Sequence, residues 1–325
     1  MYFKQFLHDD LGCSSYFIAS RQSRQAVVVD PQLEMQPYLD LAVERGYSIA
    51  GVIDTHLHAD HISGNRALAA ATGATLYLHE AADVLFPFHK LKDQDEITIG
   101  QVVLRVVHTP GHRPEMISLL VTNPPRSPEP AMVLSGDCLF VGDVGRPDFG
   151  GPEGALEEYH SIRRLLGLPD WVEVFPAHFE GSCGKGMCGR PSTTIGFERR
   201  YNPVLQLGRD EFIKRESQVP ARPLNMTAIL ATNRGAADCT WAQPGHAGEV
   251  PAISVAETLP WLKTRDAVVL AELPKDRDLL VVCARGMRST RCTAFLRRMG
   301  FDRAISMDGG TDGWREAGHR IVAGR

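Results

Sequence analysis

Ile49-Ala50-Gly51-Val52-Ile53-Asp54-Thr55-His56-Leu57-His58-Ala59-Asp60-His61 is an apolar run that stops at a polar cluster. Such a run reads as a buried strand emptying into a loop at a sheet edge. Side chains alternate along extended backbone, which predicts that His56 and His58 point to the same side. Asp60 and His61 follow where the chain turns toward a helix through Gly64 to Ala70. His56, His58, Asp60 and His61 are all metal-compatible donors, so the cluster is a metal-site candidate on its chemistry. The alternative is a polar loop of hydrogen-bonded histidines, and the rest of the chain decides against it by supplying partners at matching places.

Those partners also stand at strand ends. The apolar stretch Val102 to Val107 runs into His108-Thr109-Pro110-Gly111-His112, Met132 to Ser135 into Gly136-Asp137, and Trp171 to Phe175 into Pro176-Ala177-His178. Upstream, Tyr16-Phe17-Ile18-Ala19 and Ala26-Val27-Val28-Val29 flank a polar turn and predict a hairpin. A helix through Tyr38 to Arg45 should stop at Gly46. Further strands are expected at Thr75 to Leu78, Glu96 to Ile99 and Met116 to Val121, and an amphipathic helix at Leu156 to Leu166. Strands in the first half outnumber helices, and each polar cluster sits at the end of an apolar strand. The pattern predicts two packed sheets with helices outside and a site built from strand-end loops at one rim.

The chain has 325 residues, long for a single core, so two domains are expected. Residues 1–218 read as the first, and proline-bearing, weakly periodic sequence over 219–250 as a connector with a short helix from Met226 to Ala231. Residues 251–325 return to α/β alternation. The formal net charge of -4 gives no electrostatic case for nucleic acid or an anionic membrane. No apolar run is long enough to span a bilayer, and the first ten residues lack the pattern of a secretory signal. Seven scattered cysteines do not resemble a disulfide framework, which fits a reducing, cytoplasmic setting.

His56-x-His58-x-Asp60-His61, His112 in Thr-Pro-Gly-His, Asp137 in Ser-Gly-Asp and His178 in Pro-Ala-His together resemble the metallo-β-lactamase superfamily. The resemblance implies an αββα sandwich with metal at one edge. In its glyoxalase II-like thioester hydrolases two metals share the set: His56, His58 and His112 on one, Asp60, His61 and His178 on the other, Asp137 bridging. In its persulfide dioxygenases one Fe(II) takes His56, His112 and Asp137, and the other donors support them. The resemblance also assigns Arg146, in Gly142-Asp143-Val144-Gly145-Arg146-Pro147, to the substrate site. The stretch Phe179-Glu180 after Pro-Ala-His departs from the glutathione-using dioxygenases, which leaves the thiol open. Cys183 and Cys188 bracket an inserted glycine-rich loop; a redox pair is conceivable, a loop with two small residues the plainer account. Cys138, next to Asp137, is expected to point into the core.

Leu279-Leu280-Val281-Val282 is a buried-type strand that ends in Cys283-Ala284-Arg285-Gly286-Met287-Arg288-Ser289. A thiolate at a strand end, facing a helix N-terminus and flanked by Arg285 and Arg288, is stabilised as an anion. The stretch Cys-x-x-Gly-x-Arg-Ser, with Met307-Asp308-Gly309-Gly310 downstream, resembles the rhodanese sulfurtransferases. That implies a persulfide-carrying Cys283 in a small α/β domain. The usual segment before the cysteine strand is missing, which predicts a domain short of one element.

A sulfur-transfer cysteine joined to the metal domain favours the sulfur-oxidising branch. The expectation is a non-haem iron persulfide dioxygenase with one Fe(II) per chain, acting on a low-molecular-weight thiol persulfide such as glutathione persulfide. O₂, and thiosulfate or sulfite, would be the other small-molecule partners, and a homo-oligomer is compatible. A hydrolase with two Zn(II), and a non-enzymatic sulfur carrier or sensor using Cys283, are the competing expectations.

Overall fold

The structure is a computed structural model that describes residues 1–9, 11–147, 150–180, 184, 186–218, 226–237, 252–253, 267–268, 278–283, 287–298 and 302–319. The chain divides into two compact units, Met1–Asp238 and Cys239–Arg325.

The first unit stacks helices, sheet, sheet and helices. Its first sheet runs in the order β1 (Tyr2–His8), β2 (Cys13–Ala19), β3 (Gln25–Val29), β4 (Ser48–Ile53), β5 (Thr75–His79), β6 (His89–Leu91). Neighbours β1 to β3 are antiparallel, while β3 to β6 are parallel. The second sheet runs β12 (Thr193–Thr194), β11 (Glu173–Pro176), β10 (Met132–Gly136), β9 (Ile117–Thr122), β8 (Val102–His108), β7 (Glu96–Ile99). Alternation decides what each face buries. Tyr16, Ile18, Val27, Val29 and Ile53 meet Ile97, Leu104, Ile117, Leu119 and Leu134 between the sheets. On the outer face of the first sheet, Phe17, Val28 and Val52 pack on α1 (Gln36–Arg45) and α2 (Asn65–Thr72). Helix α1 stops where Gly46 takes φ 64°, a left-handed conformation natural to glycine. Val133 and Val174 of the second sheet pack on α3 (Gly151–Leu165), α4 (Ile195–Tyr201) and α5 (Arg209–Glu216). The expected αββα sandwich is present.

Helix α6 (Met226–Asn233) falls inside the stretch the sequence reads as a connector, yet the first unit extends to Asp238. It is bound into that unit: Arg66 donates to Thr232 O at 2.9 Å and Leu85 N–H to Arg234 O at 2.8 Å. Helix α6 thus belongs to the first unit.

The second unit contains a parallel sheet in the order β13 (Ala252–Ile253), β16 (Ala304–Met307), β15 (Asp278–Val281), β14 (Ala267–Val268). Helices α7 (Met287–Arg298) and α8 (Gly310–Glu316) accompany it. The helix expected near Val255 to Leu262 lies outside the described residues. Among the described residues no helix is long and apolar enough to cross a membrane.

Candidate metal centre and cysteine loop

Four strand ends converge on one rim. Strand β4 delivers His56 to His61, β8 delivers His112 after a short loop, β10 delivers Asp137, and β11 delivers His178. Their loops are tied together: Ile117 N–H donates to Thr55 O at 2.9 Å across the two sheets, and Ala177 N–H to Gly136 O at 2.9 Å within the second. Gly145 passes so close to Asp137 that a Cβ there would run into the Asp137 carbonyl oxygen.

His56, His112 and Asp137 each present a donor atom within 4.8 Å of the other two, and all three are buried. Asp137 Oδ2 lies 3.8 Å from His56 Nε2 and 3.6 Å from His112 Nε2, and has no hydrogen-bond partner among the described residues. A buried carboxylate oxygen in that condition is costly unless something cationic binds it. The tautomers agree. Thr55 Oγ1 donates to Asp30 Oδ2 at 2.9 Å and therefore accepts from His56 Nδ1 at 3.0 Å. His112 Nδ1 sits 2.7 Å from the Arg146 carbonyl oxygen, which can only accept. Both rings so carry their proton on Nδ1 and turn the Nε2 lone pair toward Asp137. Burial first, then the neighbouring His58, holds the His56 imidazole well below its ordinary pKa, hence neutral. Burial opposes the charge on Asp137, but His178, His56 and His112 outweigh it and hold the carboxyl well below the usual range. Two imidazoles that present Nε2, together with one carboxylate, are a donor set that fits a divalent metal.

The remaining donors are engaged differently. His178 lies between two carboxylates, with Nδ1 2.7 Å from Asp137 Oδ1 and Nε2 2.8 Å from Asp60 Oδ2. His61 Nδ1 reaches the same Asp60 oxygen at 3.0 Å. His58 Nε2 is 3.2 Å from Asp30 Oδ1, and despite burial the Asp30 hydrogen bond and charge push its pKa up to about 9. The rings of His56 and His58 do stand side by side, 4.3 Å apart, although the backbone there is loop rather than strand. His58, Asp60 and His61 also bring donor atoms within 4.8 Å of one another.

Several supporting residues are not apparent from the motif alone. Glu158 of α3, buried completely, accepts the His112 N–H at 2.6 Å. Glu115 accepts the Leu57 N–H at 3.1 Å. From α6, Asn233 donates to His58 O at 2.8 Å and His61 O at 2.9 Å, and accepts the Ser63 N–H at 3.0 Å. The signal for Glu158 and Asn233 was a polar residue in a helix, and for Glu115 a lone carboxylate in a turn; both are weak. Arg146 is buried, and its contribution here is the carbonyl that orients His112. Cys138 is buried in the core beneath the second sheet, although the backbone there turns rather than extends. Cys188 is exposed, and Cys183 lies outside the described residues.

In the second unit Cys283 follows β15. Ser289 in the first turn of α7 donates its N–H to Cys283 Sγ at 3.3 Å, with its Oγ 3.5 Å away. Ser306 Oγ donates to Ser289 Oγ at 2.9 Å from below. A sulfur at a helix N-terminus, accepting a backbone N–H, is held in an anion-stabilising place. Arg285 lies outside the described residues, as does the side chain of Arg288.

Residues 8–178 match the metallo-beta-lactamase superfamily, and residues 250–317 the rhodanese-like domain. The chain belongs to the metallo-beta-lactamase superfamily and carries a rhodanese-like domain near its C-terminal end. Within that superfamily it stands beside persulfide dioxygenases. Mitochondrial persulfide dioxygenase ETHE1 of Homo sapiens is 30% identical over 213 residues, 64% of this chain and 78% of that protein. The crystal structure of ETHE1 from Myxococcus xanthus superposes with a TM-score of 0.64 at 33% identity, covering 73% of this chain and 99% of its own. A metallo-beta-lactamase from Staphylococcus aureus does so with a TM-score of 0.75 at 27% identity, covering 94% of this chain and 99% of its own.

Proposed function

We propose that the chain is a persulfide dioxygenase with a sulfur-transfer domain. One Fe(II) on His56, His112 and Asp137 would serve the reaction of a low-molecular-weight thiol persulfide, RSSH, with O₂ and water to give RSH, sulfite and two protons. The observation that carries this reading is the lone Asp137 Oδ2 faced by two correctly protonated imidazoles, while His178 and His58 are hydrogen-bonded to carboxylates. Two histidines and one carboxylate on one side leave open positions, the arrangement of non-haem iron oxygenases. Iron bound there supplies the redox chemistry toward O₂ that no side chain possesses. The protein's own residues hold that site in shape. His178 fixes Asp137 through Oδ1 so that Oδ2 faces the histidines; Thr55 and the Arg146 carbonyl fix the rings; burial excludes bulk water from the donors. Asp60 and His61 brace His178 from the far side.

Cys283 would load sulfane sulfur by attack on thiosulfate, forming a Cys283 persulfide and releasing sulfite. A small thiolate then takes the terminal sulfur as RSS⁻, the substrate of the metal site, and frees the Cys283 thiolate. Arg285 and Arg288 are proposed to bind the anionic donor, on the strength of the sequence.

The test is metal content with O₂ uptake on the full-length protein. One iron per chain and persulfide-dependent O₂ consumption are expected. The grouping of His58, Asp60 and His61 favours the second reading, a hydrolase with two metals whose bound hydroxide attacks a thioester. Two zinc ions per chain, thioester cleavage and no O₂ uptake would establish that instead.

A further inference from the structure

The alternation of β16 puts a hydroxyl beneath the cysteine loop. Ala304 packs with Leu296 of α7, so Ser306, two residues on, faces the same helix. Both are buried completely, and a hydroxyl so placed needs polar partners. It has two. Ser306 Oγ donates its one proton to Ser289 Oγ at 2.9 Å, so across the 3.2 Å contact with Thr290 Oγ1 it is Thr290 that donates. Ser289 Oγ in turn lies 3.5 Å from Cys283 Sγ, and the Ser289 N–H meets the same sulfur at 3.3 Å. Three hydroxyls therefore line up in one direction, from exposed Thr290 through Ser306 and Ser289 to the sulfur.

We propose that Ser306 is a positioning residue for Cys283, aiming the Ser289 hydroxyl at the sulfur and polarising it there. The inference rests on the reading of Cys283 as the sulfur-transfer nucleophile. In the thiol, the S–H and Ser306 both donate to the Ser289 oxygen. In the thiolate, the Ser289 proton turns to the sulfur while its oxygen still accepts from Ser306, and each bond in the line strengthens the next. The line of hydroxyls therefore favours the anion, the form that attacks thiosulfate. Without the Ser306 hydroxyl, the Ser289 hydroxyl loses the partner that aims it and can rotate away from the sulfur. The charged and titratable neighbours stand apart from this line. Cys292 of α7 interacts with Cys283 through charge. Asp308 and Asp312 flank Thr311, whose N–H holds the Cys283 carbonyl at 2.8 Å. Arg285 and Arg288 belong to the loop by sequence. A change at Ser306 alters none of them.

Alkylation of Cys283 by iodoacetamide in the full-length protein, followed on the Cys283 peptide by mass spectrometry as pH is raised, reads the midpoint of the thiol. Ser306→Ala should raise that midpoint by about half a unit or more, and Ser289→Ala by at least as much. The double variant Ser289→Ala/Ser306→Ala should match Ser289→Ala alone, because Ser306 acts through Ser289. Ser306→Thr, which keeps a hydroxyl, should return the parent value. Sulfur transfer from thiosulfate by Ser306→Ala should lag at about pH 7 and recover as pH passes its midpoint, which a damaged loop would not do. An unchanged midpoint in Ser306→Ala would overturn the proposal. So would a full further shift when Ser306→Ala is added to Ser289→Ala. If the variants shift as expected and the parent moves no sulfur from thiosulfate, the hydroxyl line stands and the sulfur-transfer reading falls.

Discussion

Asp137 divides its carboxylate between two tasks: Oδ1 takes a proton-bearing nitrogen of His178 and Oδ2 faces His56 and His112. Asp137→Asn keeps the volume but removes the charge that balances a cation. Iron per chain should fall, with affinity reduced at least ~10–100-fold, and O₂ uptake should fall with it; a variant that still purifies with a full iron complement would remove Asp137 from the ligand set. A second prediction concerns Tyr38 on the buried face of α1, whose hydroxyl accepts the Gln32 N–H at 2.9 Å and meets Ser15 Oγ at 2.7 Å. Burial pushes its phenol up to about 12. The folded state then keeps a proton that the unfolded chain loses near pH 10. Stability supplied by the neutral phenol is complete below pH 10 and is lost as pH rises through about 12. The loss is roughly 2–3 kcal/mol, two pKa steps. Chemical denaturation across that range should show a shallower alkaline decline in Tyr38→Phe than in the parent; parallel curves would rule the phenol out.

At the scale of elements, α6 does what no motif announces. Its Asn233 makes three hydrogen bonds to the loop that carries His58 and His61. Asn233→Ala should cost about 2–4 kcal/mol, measured by urea unfolding of the first unit. Asn233→Asp should be no better, since it sets a carboxylate against two carbonyl oxygens. A loss within about 0.5 kcal/mol would show that the loop stands without α6. The same helix shows where sequence patterning runs out. Strands that feed the site were legible because an apolar run ending in donors has few other meanings. Strand β6 has only the residues His89–Leu91 and no period to read. Helix α3 starts at Gly151-Pro152, earlier than expected, because a Gly-Pro pair reads as loop although proline is at home in a first helical turn. Strand β13, two residues long, gains its identity only from pairing beside β16.

For the whole molecule, the two chemistries should separate by mutation. Cys283→Ser should abolish sulfur transfer from thiosulfate to a thiol while O₂ uptake with ready-made persulfide stays within about twofold, because Cys283 belongs to the other unit. Were that uptake also lost, Cys283 would have to serve the metal site itself. The candidate metal donors were legible as a set, since the three strand-end donors outside the opening cluster, His112, Asp137 and His178, have no cheaper explanation together. Which of them bind metal was not legible: it rests on ring protonation, set by Thr55, the Arg146 carbonyl and Asp60, and those contacts exist only after folding. Iron stripped by a chelator should lower the thermal midpoint of the first unit alone, since a ligand present at a hundred times its Kd stabilises by about 2.7 kcal/mol. An unchanged midpoint would mean that metal is not bound by the folded site.

Asn233 sits 175 residues beyond the carbonyl of His58 that it holds, and the candidate ligand His112 lies between. On the ribosome the histidine loop is made early and its brace last, at roughly 5–20 residues per second. A nascent chain therefore exposes His56 to His61 for many seconds before α6 can clamp them. On the proposed reading, metal loading becomes a late step of biosynthesis, and any cation that captures the growing chain sooner does so on donors not yet selected by the fold.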